Sequence, residues 1–212
     1  MSDTNNIMDR LKEETWPLHQ QAERAKLEQE MVQGKLPREV YRDHLAQRYI
    51  IHRELEARLR EAREQDPRLK AIVQDWQFHE EDAAVDLRYY GGDPATAKAV
   101  PATEKLLASI AAADPISLLG QQYVYEGANN GARFIARALR GAWRLEGKEG
   151  TQYLDPYGDK QRERWAEFKS LMSSQDFSEE DMTKIVEAAK ATFLQIIEVE
   201  EDVYPDATAA GV

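Results

Sequence analysis

The sequence predicts an all-α fold with a single domain, and three observations carry that expectation. Apolar residues recur at intervals of three and four rather than two. Alternating runs of β-branched residues bounded by turn residues are missing. The length of 212 residues with 42% hydrophobic content suffices for one sizeable core that needs no metal or disulfide.

The first helix is expected from about Asn5 through Leu11, Leu18 and Ala22. Pro17 interrupts it: proline deletes the bond to the carbonyl of Glu13 and usually kinks a helix, so the turn carrying His19 is expected to point away from the turn before it. A short amphipathic piece from Leu27 to Gln33 stops at Gly34. Pro37 suits a first helical turn, and Tyr41, Leu45, Arg48, His52, Leu55 and Leu59 follow at alternating steps of four and three. Continued to Gln65, that helix would span about 40 Å. Gln77 to Tyr90 reads as a helix ended by Gly91 and Gly92, and Ala102 to Ala112 as one stopped before Pro115. The pattern from Ile116 to about Leu145 is helical although it contains Gly120, Gly127, Gly131 and Gly141, each costing about 1 kcal/mol relative to alanine. Glu146 to Asp159 is rich in Gly, Asp and Pro and reads as a loop, with helices from Lys160 to Ser173 and from Glu179 to about Glu201 completing the chain. Ser178 with Asp181 approximates a capping box for the last helix. Residues 1–5 and 204–212 are expected to be short flexible termini, and no repeat or linker divides the chain.

Composition excludes several chemistries. The absence of cysteine removes thiolate nucleophiles, Cys-ligated zinc, thiolate-ligated haem, Cys-held iron–sulfur clusters and disulfides. With 28 Lys and Arg against 39 Asp and Glu the formal charge is -11, which disfavours nucleic acid as a partner. No stretch approaches the roughly 18 apolar residues of a membrane span, and the opening MSDTNNIMDR lacks the basic and apolar regions of a secretory signal. A soluble, monomeric, cytoplasmic protein without a membrane partner is the expectation.

Chemistry then rests on His, carboxylates, hydroxyls or a cofactor. None of the four histidines has the spacing of a helical zinc or di-iron site. His52 lies in the apolar stripe of its helix, as a core or interface histidine bonded to a neighbour, whereas His44 and His79 are flanked by charge and are expected in solvent. His19 differs, because Glu23 lies at i+4, within reach of a ring nitrogen. A carboxylate bonded to one imidazole nitrogen leaves the other free to bind a metal or move a proton, although exposed His–Glu pairs on helices are also common.

Two further features stand together. Gly127-Ala128-Asn129-Asn130-Gly131-Ala132 has almost no side-chain bulk, which suits either tight helix packing or a flat ligand lying against the helix. Arg133, Arg137, Arg140 and Arg144, spaced four, three and four, place guanidinium groups along one side, either as a solvated face or as a local reversal of the chain's negative charge.

In order and local sequence these pieces resemble the haem oxygenase family, from about Leu11 to Val199. Leu11-Lys12-Glu13 with Leu18-His19-Gln20-Gln21-Ala22-Glu23 resembles the family's first helix. Gly34-Lys35-Leu36 leading to Tyr41 and Leu45 resembles its second long helix. Tyr125-Glu126-Gly127-Ala128-Asn129-Asn130-Gly131 stands where the family has its Gly-rich distal helix. Phe168-Lys169, Glu187-Ala188-Ala189-Lys190 and Phe193-Leu194 also match. A thiaminase-like relative, with a cysteine nucleophile, is excluded by the lack of Cys.

The resemblance implies a bundle that binds haem b, with His19 as axial ligand of the iron, Glu23 its hydrogen-bonding support, Tyr125 at the cofactor site, and Lys12 and Lys169 on the haem propionates. Gly127 and Gly131 would let the helix pass over the porphyrin. The implied reaction opens haem, substrate as well as cofactor, to biliverdin, carbon monoxide and ferrous iron, using dioxygen and electrons from a ferredoxin or flavodoxin-like reductase docked at the arginines. Two departures stand out. Ala128 occupies the place of the usual distal aspartate, leaving Asn129 or Asn130 to anchor the water that delivers protons, and Ser173 falls where many members have a propionate-binding arginine. They motivate an alternative: a haem storage, transport or sensor protein that leaves the ring intact.

Overall fold

A computed structural model describes residues 6–205, and among them are nine α-helices and no strand. These are α1 (Ile7–Ala22), α2 (Lys26–Val32), α3 (Arg38–Arg63), α4 (Pro67–Ile72), α5 (Glu80–Tyr89), α6 (Pro101–Ala112), α7 (Pro115–Trp143), α8 (Gln161–Ser173) and α9 (Glu179–Val203).

Side chains at the starts account for several boundaries. Asn6 caps α1 by accepting from the Met8 amide, and Asp114 caps α7 by accepting from the Ile116 and Ser117 amides, with Pro115 in the first turn. Ser178 and Asp181 form a reciprocal capping box at α9. The end of α7 falls at Arg144, whose φ of 56° places it in the left-handed region.

Four expectations need correction. α1 runs continuously through Pro17, so His19 and the preceding turns share one helix. The segment expected as one helix from Gln77 to Tyr90 divides into a 3-10 turn at Asp75–Gln77 and α5, because α5 is capped from outside. The buried Glu56 carboxylate of α3 accepts from the His79 and Glu80 amides and so fixes the start. The helix α4 was not expected; Asp66 caps it, Pro67 opens it, and Leu69 and Ile72 are fully buried. At the C-terminus, Tyr204 is not free, because its hydroxyl donates to Glu30 at 3.0 Å and its ring lies 4.0 Å from Lys26 Nζ. The expected flexibility of residues 1–5 and 206–212 lies outside the described residues.

α7 and α9 form the centre. They approach so closely at Gly120 that a Cβ there would lie 2.0 Å from the Ile185 carbonyl oxygen and 2.9 Å from the Ala189 nitrogen. Only glycine fits, and this contact explains one of the four helical glycines. A larger core joins α1, the second half of α3, α4, α6, the first half of α7, α8 and α9, while a smaller one gathers α2, the start of α3 and the second half of α7. α1 packs on α9 and α8, and α7 packs on the same two helices, but α1 and α7 make little contact with each other. α1 and α7 thus stand as two separate walls on a shared base of α9 and α8, and the interval between them is termed the groove.

Candidate active site

On the α1 wall, buried Thr15 donates to the Leu11 carbonyl of its own helix at 2.6 Å. One helical turn beyond Thr15, the His19 side chain is 42% exposed. Trp16 stacks on its ring at 5.4 Å and Phe193 of α9 meets it edge-on at 5.9 Å. Nδ1 is covered and has no hydrogen-bond partner among the described residues, so the open part of the ring lies on the side of the other nitrogen. Glu23 Oε1 stands 3.6 Å from Nδ1, outside hydrogen-bond distance but the nearest charged group to that nitrogen in an ion pair.

Across the groove, the second half of α7 presents little bulk. A Cβ at Gly127 would meet only the Trp165 ring, at 3.6 Å, and one at Gly131 would meet nothing within 4 Å. Unlike Gly120, the stretch is no tight backbone seam, although Gly127 and Asn130 lie against Trp165 and Gln161 of α8. Ala128 and Gly131 are exposed, and the Phe134 side that follows them is 64% exposed. Exposed Lys12 and Lys169 take part in no ion pair among the described residues; Lys169 Nζ lies 5.9 Å from the Trp165 ring centroid. Ser173 donates to Asn6 at the start of α1. An open imidazole, flat apolar walls and two unpaired ammonium groups fit an iron porphyrin carrying two carboxylates.

The other expected residues divide. Asn130 is engaged at both ends, donating to the Gly127 carbonyl at 3.0 Å and accepting from Gln161 at 3.2 Å. Asn129 is buried and its Nδ2 has no partner among the described residues. Tyr125 points inward, its ring 5.0 Å from that of His52. The arginine stripe is broken: Arg140 bonds Thr151 and Asp155 of the following loop, and Arg144 lies past the last helical turn. Arg133 and Arg137 remain without an ion pair among the described residues.

His44 and His79 are buried, at 2% and 4% exposure, against the expectation of solvent. Charges at adjacent helical positions point about 100° away and so say little about the face a residue occupies. His79 belongs to a polar layer under α7, whereas His44 meets Arg48 and Tyr41 of its own helix. His52, buried as expected, contacts Glu56 through Nδ1 and Tyr153 through Nε2. His79 meets Asp82 through Nδ1 at 3.0 Å and Tyr157 through Nε2 at 2.9 Å. The Tyr157 hydroxyl also lies 2.9 Å from Oε2 of Glu126, a fully buried carboxyl on α7 next to Gly127. Burial pushes Glu126 up to about 7, against the opposing influence of His79, Tyr157 and Arg164. This layer was missed, although Glu126 on the same face as Leu119 and Gln122 was a visible signal of a buried charge.

Fold and site define, among the described residues, an all-helical protein whose histidine-bearing α1 and glycine-bearing α7 stand on the same two helices, α8 and α9. The family model described as Heme oxygenase matches residues 5–202, and the chain belongs to the haem oxygenase family. It is 27% identical over 208 residues to heme oxygenase 2 of Synechocystis sp. strain PCC 6803, covering 93% of this chain and 82% of that protein. The crystal structure of that cyanobacterium's heme oxygenase-2 in complex with heme and NO superposes with a TM-score of 0.87 at 27% identity, over 98% of this chain and 88% of the other. Heme oxygenase from Leptospira interrogans shares the fold, with a TM-score of 0.85 at 20% identity over 93% of this chain and 99% of the other.

Proposed function

We propose that this protein is an active haem oxygenase that opens haem to biliverdin, carbon monoxide and ferrous iron with dioxygen and an external electron donor. The observation that carries the reading is the open His19 ring on one wall of the groove, opposite the Gly127–Gly131 stretch whose missing side chains leave room for a flat ring. Haem, when bound, supplies the redox iron and is itself the substrate. His19 would hold the iron and Glu23 would keep its ring oriented. Lys12 and Lys169 would meet the propionates, each charge-assisted bond contributing about 1.5–3 kcal/mol where water is excluded. Asn129, not the engaged Asn130, has a free amide to orient water.

Haemin added to the protein, followed by ascorbate or a reductase in air, is expected to lose its Soret band as biliverdin absorbance grows. A stable haem complex that yields no biliverdin with any reductant would instead establish the storage or sensor reading that Ala128 motivates.

The partner proposed for electron supply is an acidic ferredoxin or flavodoxin-like protein at Arg133 and Arg137. A chain of charge -11 repels such a donor unless local cations steer it, and only charges within about 8 Å of the contact act at physiological salt. Changing both arginines to Glu is expected to slow protein-driven turnover about 10-fold and to flatten its salt dependence, with ascorbate-driven turnover unchanged. Equal loss with both reductants would place the arginines in haem binding or folding.

A further inference from the structure

We propose that His79, Tyr157 and Glu126 form a proton relay that connects a surface pocket beside His79 to the inner side of α7 at Gly127, doing the work of the acidic side chain that Ala128 lacks. The proposal rests on the haem oxygenase reading and adds to it a route and two residues outside every family motif quoted above, His79 and Tyr157, joined to Glu126 of the distal stretch.

The outer end of the route is open. His79, Asp82 and Tyr157 line a pocket of about 260 Å³ together with Trp76, Lys160 and Arg164. The inner end is Glu126, fully buried on the helix turn that carries Gly127. Between them the hydrogen bonds are continuous, at 2.9 Å from His79 Nε2 to the Tyr157 hydroxyl and 2.9 Å from that hydroxyl to Glu126 Oε2.

Proton counting makes the chain a conductor as well as a scaffold. Burial works against the Asp82 charge, but hydrogen bonds from His79 and Gln152 hold its carboxyl below the ordinary range, so Asp82 is ionised and can only accept. The His79 Nδ1 facing it therefore carries hydrogen, and Nε2 is the nitrogen that faces the Tyr157 hydroxyl. Tyr157 has one hydroxyl hydrogen and two partners. In one arrangement protonated His79 donates to the Tyr157 oxygen, and Tyr157 donates to the Glu126 carboxylate. In the other, protonated Glu126 donates to Tyr157, and Tyr157 donates to neutral Nε2. Two short hops convert the first into the second, moving one proton from Nε2 to Oε2 with no side chain turning and no other bond broken.

The environment of Glu126 keeps its carboxyl able to hold or release a proton near neutrality. Glu126 is held at about 7 by burial, opposed by His79, by the Tyr157 hydrogen bond and by Arg164 of α8. Charged and titratable groups around it are His79 and Asp82 at α5, Tyr157 in the loop and Arg164 on α8, while Glu56 and His52 of α3 reach it only through His79. The second oxygen, Oε1, is buried without a protein partner among the described residues, as is Nδ2 of Asn129 three positions along the same helix. Rotation of the protonated carboxyl group then turns the hydrogen from Tyr157 toward water bonded to this pair, the expected carrier past Gly127, which has no side chain of its own and faces the Trp165 ring.

Infrared titration of the full-length protein without haem tests the relay directly. A protonated carboxyl band is expected to fade as pH rises through neutrality, to be missing in Glu126→Gln, and to persist at a shifted frequency in Tyr157→Phe. With haemin and ascorbate, Glu126→Gln and Tyr157→Phe are expected to form biliverdin about 10-fold to 100-fold more slowly at unchanged haem affinity, a range at the lower end for positioned proton donors. Glu126→Asp is expected to restore part of the rate with an altered pH profile. The relay is overturned if no titrating band depends on Glu126, or if both variants match the wild-type rate and pH profile. A wild type that forms no biliverdin overturns the functional reading, and the infrared band still decides whether Glu126 exchanges a proton with Tyr157.

Discussion

Replacing His19 with Ala is expected to abolish the imidazole-type spectrum of the haem complex and, with it, biliverdin formation. The structure leaves no other histidine for the task. His52 and His79 use both ring nitrogens on buried neighbours, and His44 accepts from Arg48 at 3.2 Å on Nε2 while the rest of its ring is enclosed. His19 alone combines an open ring face with nitrogens uncommitted to hydrogen bonds among the described residues. The apolar walls remain in the variant, so weak haem association without the axial signal is the expected remainder. Glu23→Gln should weaken ligation by no more than about 10-fold to 100-fold, the range for supporting carboxylates, because Glu23 is 65% exposed and stands 3.6 Å away. Survival of the imidazole spectrum in His19→Ala would remove this histidine from the site.

Replacing Arg48 with Met is expected to cost about 3–5 kcal/mol of stability, the range for a buried ion pair that loses one partner. Arg48 Nη2 lies 2.7 Å from Glu200 Oε1, with side-chain exposures of 8% and 2%. Burial raises the Glu200 carboxyl well above its ordinary range, Glu28 adds to that, and Arg48 opposes both. A carboxyl raised in the folded state contributes stability at pH below the unfolded value near 4.5, and the contribution is lost as pH rises. Without Arg48 the rise is larger, so the penalty of the substitution should be smaller in mild acid and grow toward alkaline pH. The double variant Arg48→Met with Glu200→Gln should recover much of the loss and flatten its pH dependence. Urea denaturation at two pH values measures both effects; a penalty below about 1 kcal/mol, or one independent of pH, would refute this account.

Helices and the groove residues were legible in the sequence because they follow from local rules. Ser178 with Asp181 and the apolar stripe from Tyr41 to Leu59 each act within one or two turns of chain. His19 with Glu23 and the small-residue run were visible for the same reason. What stayed hidden depends on partners far away in sequence. Glu56 starts α5 from across the bundle, Tyr157 joins His79 to Glu126, and Arg140 leaves the arginine stripe because Thr151 and Asp155 fold back onto it. Gly120 shared one label with Gly127 and Gly131 in the sequence, and only the backbone of α9 separates their roles.

That difference gives α7 the mechanics of a beam held at both ends. Backbone pressed on backbone at Gly120 fixes one end, and no substitution larger than hydrogen can enter without moving α9. The other end is held by Ile135, Ala136 and Leu139 in the smaller core and by Arg140 on Thr151 and Asp155. Between these supports a Cβ at Gly127 would meet only the Trp165 ring and one at Gly131 nothing within 4 Å, so the middle of the beam is where bending meets least resistance. A rigid planar guest needs a slot that widens briefly to enter and again to leave, and a beam that bows at its middle supplies that stroke without disturbing the histidine-bearing wall, which is anchored separately on α9 and α8.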